Sequence, residues 1–230
     1  MVVVTPDLVS YGFVGFAWGS TDPFKAGPGA ILSKDIEIFT AGGPTHCFVG
    51  CYRDGLLMEF ESTEARNALG QLTSGPQWRT LQAIQDEYAN GGTVDLYPLT
   101  AKFPLDMDQF EIDAKQLCDL RAAGKCPYGV WHLGADAINV IDILGLQEPL
   151  ESFLLRTRGL VCSECAARIL RPLLGLALAA KAIPDTRMAR GQYLGVTPAQ
   201  LLAAVKLIAK PPLANVFRDG MLQMPRYVPS

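Results

Sequence analysis

An Asp-Gly pair between two runs of mixed apolar and polar residues constrains the fold of this chain more than any other feature. Asp54 and Gly55 separate the run His46–Tyr52 from the run Leu56–Ser62. An Asp-Gly pair in this setting favours a two-residue hairpin turn, because both central residues of that turn need a positive φ. The sequence therefore predicts an antiparallel hairpin with Asp54 and Gly55 at its tip.

The register of this hairpin decides which side chains share a face of the sheet. A two-residue loop pairs residue 50 with residue 59, and opposed residues point to the same face. His46 and Glu61 then become diagonal neighbours, about 7–8 Å apart between backbones and within reach of a long side chain. Alternation sends Cys47 to the opposite face. A three-residue loop would shift this register, and Glu59 is an alternative to Glu61 as the acidic neighbour of His46.

The patterning of the remaining chain predicts an α+β fold. Further strands are predicted at Tyr11–Trp18, Ile36–Phe39 and Thr93–Leu99. Helices are predicted at Trp78–Tyr88, Asp108–Ala122, Tyr128–Leu144 and Cys162–Leu170, with one more opening at Thr197–Leu201. We expect one domain over residues 1–201, followed by a C-terminal helix and a proline-rich arm over residues 202–230.

Composition and charge exclude several classes of protein. The 230 residues are 49% hydrophobic and carry a net charge of −3, which favours a folded core over disorder and gives no basic footprint for nucleic acid. The apolar stretch Leu173–Ala180 is far shorter than the roughly 20 residues of a membrane helix. Residues Met1–Asp7 lack the basic start of a secretory signal. We therefore expect a cytoplasmic protein without a nucleic-acid partner or a transmembrane segment.

Histidine and cysteine are the side chains that narrow the chemistry. The chain has two histidines, His46 and His132, and six cysteines, which we expect to be free thiols in a reducing compartment. Cys162 lies where an apolar stretch meets a predicted helix, and a helix N-terminus lowers a thiol pKa. A thiolate beside a histidine and a carboxylate is a nucleophile for acyl chemistry. Two alternatives give Cys162 no catalytic role: it is a buried, inert cysteine, or it forms a zinc site with Cys165.

Three short segments carry a resemblance to a known family. Thr45–Gly50 resembles the Ser/Thr-His-Val-Gly strand of NlpC-type papain-like amidohydrolases, and Met58–Ser62 resembles the strand that follows it. Cys162–Glu164 resembles the start of the nucleophile helix in those proteins. Weaker similarities lie at Pro127–Gly129 and Val196–Ala199. The order His, Glu, Cys along the chain resembles the circularly permuted, YiiX-like branch of the family.

The resemblance implies a fold and a set of roles. It implies a permuted papain-like fold, with an antiparallel half-barrel packed on the helix that bears the nucleophile. It implies that Cys162 is the nucleophile, His46 the base and Glu61 the third catalytic member, with no cofactor and no metal. Tyr128 would line the substrate cleft. Cys47 departs from the family pattern, because an aliphatic residue usually follows the histidine.

The predicted function is a cysteine hydrolase that cleaves a peptide or lipid amide through an acyl-thiol intermediate. The absence of an export signal and the proline-rich end suggest a virion-associated cell-wall peptidase, carried by a phage particle and docked through its C-terminal arm. Two alternatives stay open at this stage. One is a catalytically silent structural or docking protein on the same fold, and the other is a thiol acyltransferase that uses the same residues.

Overall fold

The described part of the protein is α+β, with a five-stranded antiparallel sheet and helices packed against it. The computed structural model describes residues 10–19, 43–66, 72–88, 92–126, 161–213, 217–218 and 221–222. The sheet has five strands: β1 Phe13–Trp18, β2 His46–Arg53, β3 Leu56–Arg66, β4 Leu72–Thr80 and β5 Thr93–Pro98. Their spatial order is β4-β3-β2-β1-β5, and every neighbouring pair is antiparallel.

Five helices are seen in the described part of the chain. They are α1 Leu81–Tyr88, α2 Met107–Ala122, α3 Cys162–Ile169, α4 Arg171–Ala179 and α5 Pro198–Ile208. Two short strands, β6 Phe217–Arg218 and β7 Met221–Leu222, pair with each other. None of the helices in these described ranges is long and apolar enough to cross a membrane. The strand predicted at 36–39 and the helix predicted at 128–144 lie outside the described residues.

The predicted hairpin is confirmed, together with its register. Asp54 and Gly55 both have positive φ, 51° and 84°, as a two-residue turn with the twist of the flanking strands requires. Arg53 pairs with Leu56, and the pairing continues without a bulge through residues 50 and 59 to residues 49 and 60. The register that places His46 and Glu61 on one face is therefore the register of the folded chain.

Strand β4 is the element that the sequence analysis missed, because a helix was predicted over Trp78–Tyr88. The strand runs through Thr80, and only then does α1 begin. Trp78 pairs across the sheet with Phe60, at 5.1 Å between ring centroids, and also packs on Phe110 at 5.0 Å. Pro76 argues against a strand when only the sequence is considered, because proline has no backbone N–H to donate. However, β4 is an edge strand, where such a residue is tolerated.

Each face of the sheet contributes side chains to a separate apolar cluster. Cys47, Val49 and Cys51 of β2 point into the larger cluster, which also takes in much of α2, α3, α4 and α5. Phe13 and Phe48 point into the smaller cluster on the other face. This alternation along β2 places α3 directly against the strand that carries His46.

Helix α5 belongs to the main core. Thr197 caps it by accepting a hydrogen bond from the Gln200 backbone N–H at 3.2 Å. Leu202 and Val205 are buried in the larger cluster, so the boundary expected between residues 201 and 202 falls inside a helix that packs on the core. Beyond α5, Leu213 bridges to Leu96 of β5, which ties this part of the expected arm to the sheet.

Candidate active site

Cys162 is the first residue of α3, and the local sequence explains why the helix begins there. Val161 before it is extended, with φ −83° and ψ 165°, and its backbone N–H donates to Glu164 Oε2 at 3.4 Å. The other carboxylate oxygen of Glu164 accepts from the Gly195 backbone N–H at 2.7 Å. Seven of the eight residues of α3 are buried, and Cys162 itself is 3% exposed. The thiol is therefore held rigidly at a helix N-terminus.

His46 begins β2 and connects the thiol to a carboxylate. Its Nε2 contacts Oε2 of Glu61, whose side chain is fully buried. The ring also hydrogen-bonds Cys162. Because Nε2 is engaged by Glu61, Nδ1 is the nitrogen left to face the sulfur. The three side chains form one contiguous chain, from sulfur through imidazole to carboxylate.

The charges on His46, Glu61 and Cys162 stabilise one another in this buried site. Burial opposes a charged imidazole, but the attraction of Glu61 and Cys162 outweighs it and raises the pKa of His46 well above its ordinary value. A hydrogen bond from the Cys47 side chain favours the thiolate form of Cys162, whereas burial opposes it. Because His46 also favours the thiolate, the pKa of Cys162 falls well below its ordinary value. The arrangement favours a thiolate–imidazolium pair.

Arg79 on β4 is a member of the site that the sequence analysis missed. Its Nη1 donates to Glu61 Oε1 at 2.5 Å, and its Nε lies 3.7 Å from Glu59 Oε1. Burial would raise the pKa of the Glu61 carboxyl, but His46 and Arg79 together lower it. Both carboxylates are fully buried, and it is Glu61 that contacts His46. No signal in the sequence indicated it, because Arg79 lies within the helix predicted to begin at Trp78.

Cys47 is the second unexpected neighbour of the nucleophile. It projects from the face of β2 opposite to His46, as alternation predicted, but both residues stand at the start of β2 and both hydrogen-bond Cys162. The Cys47 side chain and its backbone N–H both donate hydrogen bonds to Cys162. Burial, followed by the hydrogen bond to Cys162, raises the pKa of Cys47 well above its ordinary value. Cys47, whose pKa is raised, is therefore in contact with Cys162, whose pKa is lowered.

The remaining cysteines differ from Cys162 in their surroundings. All six are free thiols. Burial raises the pKa of Cys51 to about 11 and that of Cys126 to about 11. It also raises the pKa of Cys118, which is only partly buried, and of Cys165. Among the cysteines, Cys162 therefore stands out as the one whose thiolate is favoured.

Two residues singled out from the sequence fall outside the described ranges, namely Tyr128, expected in the substrate cleft, and His132. Within the described ranges, no group of three or more His, Cys, Asp or Glu side chains is arranged to hold a metal ion.

Comparisons with protein-family models, curated proteins and solved structures gave no match for this chain. The case for its chemistry therefore rests on the residues and contacts described above.

Proposed function

We propose that this protein is a cysteine hydrolase on a permuted papain-like fold, and that it cleaves an amide bond through an acyl-thiol intermediate. The observation that carries the proposal is the contiguous chain of Cys162, His46 and Glu61. These residues come from a helix start and two paired strands, and their order along the chain is His, Glu, Cys. An antiparallel sheet packed on the helix that bears the thiol supports the fold assignment.

The proposed reaction begins from the thiolate–imidazolium pair. Cys162 Sγ attacks the carbonyl carbon and forms a C–S bond, and the carbonyl oxygen takes the negative charge. The backbone N–H of Cys162, at the start of α3, is a donor without a partner further up the helix and would stabilise that oxyanion. The intermediate collapses when the C–N bond breaks and the amine leaves with the proton of His46.

The second half of the reaction restores the resting site. Neutral His46 takes a proton from water, which attacks the thioester and releases the acid. Cys162 leaves as the thiolate, and His46 is again the imidazolium. Glu61 stabilises the imidazolium throughout and stays ionised, because Arg79 donates to its second oxygen. An alcohol or amine in place of water would make the same residues an acyltransferase.

The pH dependence follows from the direction of the two pKa shifts. Activity needs the Cys162 thiolate, whose pKa is lowered, and the His46 imidazolium, whose pKa is raised. The rate should therefore fall in acid as the thiolate is protonated, and in alkali as the imidazolium loses its proton. We expect a bell-shaped profile with a broad plateau around neutral pH.

The proposal is tested first by the pH dependence of alkylation with iodoacetamide, a small reagent that suits a thiol of 3% exposure. Each cysteine is resolved by peptide mass, in wild type and in His46→Ala. We expect rapid labelling of Cys162 well below pH 8 in wild type, and its loss in the variant, because the imidazolium no longer stabilises the thiolate.

Two controls make this result interpretable. Cys118 is an internal standard, since its raised pKa and partial exposure predict slow labelling that His46→Ala leaves unchanged if the fold is intact. Glu61→Gln keeps the shape of the side chain and removes its charge, so it should shift the Cys162 profile toward higher pH by less than His46→Ala does. Labelling of Cys162 at the Cys118 rate throughout would contradict the proposed pair.

Catalysis is tested separately with an activated acyl ester. Incubation with p-nitrophenyl acetate should release nitrophenol in a burst and leave an acetyl group on Cys162, visible by intact mass and absent in Cys162→Ser. Hydrolysis predicts that the adduct decays in buffer, whereas acyl transfer predicts that decay needs an added amine or alcohol. A labelled thiolate that never acylates would favour the silent structural alternative.

A further inference from the structure

The contact between Cys47 and Cys162 favours the thiolate, but Cys47 takes no part in the bond-making steps of the hydrolytic cycle proposed above. Cys47 is 0% exposed and lies on the inward face of β2, in the apolar cluster that also contains Cys162. Its thiol donates a hydrogen bond to the sulfur of Cys162. Helix α3 packs directly on β2, so the two side chains project into the same cluster from facing elements, as a disulfide between them requires.

We propose that Cys47 and Cys162 form an oxidative modification site, at which a peroxide converts the two thiols into a disulfide that blocks the nucleophile reversibly. The inference uses the thiolate of Cys162 but does not require that the protein hydrolyse anything.

The chemistry takes place in two balanced steps. In the first, the Cys162 thiolate attacks one oxygen of hydrogen peroxide, an S–O bond forms and the O–O bond breaks; the departing hydroxide takes the proton of the His46 imidazolium, which leaves the sulfenic acid of Cys162 and water. In the second, the sulfur of Cys47 attacks the sulfenic sulfur, the S–O bond breaks, and the Cys47 proton leaves with the hydroxyl group as water. Each thiol loses one electron to the peroxide, and a dithiol reductant reverses the change.

The surroundings explain why these two cysteines are matched. Cys162 is the reactive partner, because its thiolate is favoured by the hydrogen bond from Cys47, by His46 and by the helix start. Cys47 stays protonated and in place until the sulfenic acid forms beside it. The site is nearly closed, so a molecule as small as peroxide can enter more readily than a large oxidant. A second thiol already in contact should capture the sulfenic acid before it is oxidised further.

Other cysteines are less suited to resolve the sulfenic acid. Cys165 lies three residues further along α3, so it belongs to the same helix as Cys162 and not to the facing strand, and the charge of Cys162 raises its pKa. Cys51 lies further along the same face of β2, next to Met58 on the paired strand. Cys47 is therefore the cysteine on the facing strand whose side chain hydrogen-bonds Cys162.

The test uses the full chain, reduced and then treated with hydrogen peroxide. Remaining thiols are blocked with N-ethylmaleimide under denaturing conditions, and peptides are mapped by mass without reduction. We expect the loss of two of the six thiols and a peptide that links residues 47 and 162. Dithiothreitol should restore both thiols and the iodoacetamide reactivity of Cys162.

Variants at position 47 separate the disulfide from general oxidation. Cys47→Ser should accumulate Cys162 sulfenic acid, trapped by dimedone, and should proceed to sulfinic acid faster than wild type. Cys47→Val is a second variant for the same test, because an aliphatic side chain suits the buried cluster better than a hydroxyl group. Cys51→Ser is the matched control on the same face of β2, and it should still form the disulfide.

The outcomes are decisive in both directions. A linked peptide in wild type and Cys51→Ser, absent in both position-47 variants, supports the proposal even if no substrate is ever hydrolysed. Irreversible oxidation of Cys162 at the same rate in wild type and in a folded Cys47→Val variant would overturn it. A disulfide that joins Cys162 to a different cysteine would also overturn it.

Discussion

Replacing Arg79 by Met tests the charge network behind His46 most directly. The variant keeps the length of the side chain but removes the guanidinium from two buried carboxylates, Glu59 and Glu61. The Arg79 side chain is 5% exposed, so solvent cannot replace the lost charge without opening the sheet. We expect the variant to be destabilised strongly at pH 7, with the cause lying in the folded state.

The size of the effect can be worked out from the geometry. Opposite charges 3.7 Å apart, as between Arg79 and Glu59, attract by about 4.5 kcal/mol at an effective dielectric constant of about 20. Removing one partner of a buried ion pair typically costs about 3–5 kcal/mol. Since domains are stable by about 5–15 kcal/mol, this is a large fraction of the total free energy of unfolding. The variant should unfold at a much lower urea concentration.

The loss should also depend on pH, with a sign set by Glu61. In wild type the folded pKa of Glu61 is lowered, so its ionisation stabilises the fold above the unfolded pKa of about 4.3, and this contribution is lost as the pH falls through the folded pKa. Without Arg79, His46 alone opposes the effect of burial, so the folded pKa of Glu61 rises. The difference in stability between wild type and Arg79→Met should therefore be largest near pH 7 and should shrink toward pH 4.

Urea titrations followed by tryptophan fluorescence provide the assay, because Trp78 is adjacent to Arg79 and packs on Phe60. Arg190→Met is the matched control: Arg190 makes a two-pronged pair with Asp185, but both side chains are exposed. We expect its midpoint to stay close to that of wild type. Equal midpoints for the two variants, or an Arg79→Met loss that does not change with pH, would refute the network.

Two further predictions concern the framework. Gly50→Ala would place a Cβ atom 2.1 Å from the Phe13 ring, so we expect the free energy of unfolding, measured by urea denaturation, to fall by about 1–3 kcal/mol. In Gly175→Ala, within α4, the new Cβ meets nothing within 4 Å, and the variant should be more stable by about 0.5–1 kcal/mol. A loss of stability at both sites would contradict this prediction. Thr197→Ala removes the cap of α5 and should cost about 1 kcal/mol, whereas Thr197→Ser should retain most of the stability; equal losses would show that the cap contributes nothing.

Local chemistry made the hairpin predictable from the sequence. The turn at Asp54 and Gly55 depends on neighbouring residues alone, and once its length is known, the period of two along a strand determines which side chains share a face. The start of α3 at Cys162 and the cap of α5 at Thr197 are local in the same sense. The register alone could pair His46 with Glu61, whereas the link to Cys162 was predicted from the resemblance.

Strand β4 and its arginine could not be predicted in that way. Gly75 and Pro76 interrupt the local pattern, and the strand forms because it pairs with β3 and because Trp78 packs on Phe60. That pairing is what brings Arg79 to Glu61. Here, contacts between distant segments outweigh local propensity.

What the sequence by itself determined was the hairpin, its register and the beginning of the thiol-bearing helix, because each depends on residues within a few positions of one another. Only the tertiary structure decided that Cys162 contacts both His46 and Cys47 at the start of β2. More than 100 positions separate the helix from that strand, and their contact depends on how α3 packs on the sheet. Strand alternation places His46 and Cys47 on opposite faces, but both stand at the start of β2 and both hydrogen-bond one sulfur atom.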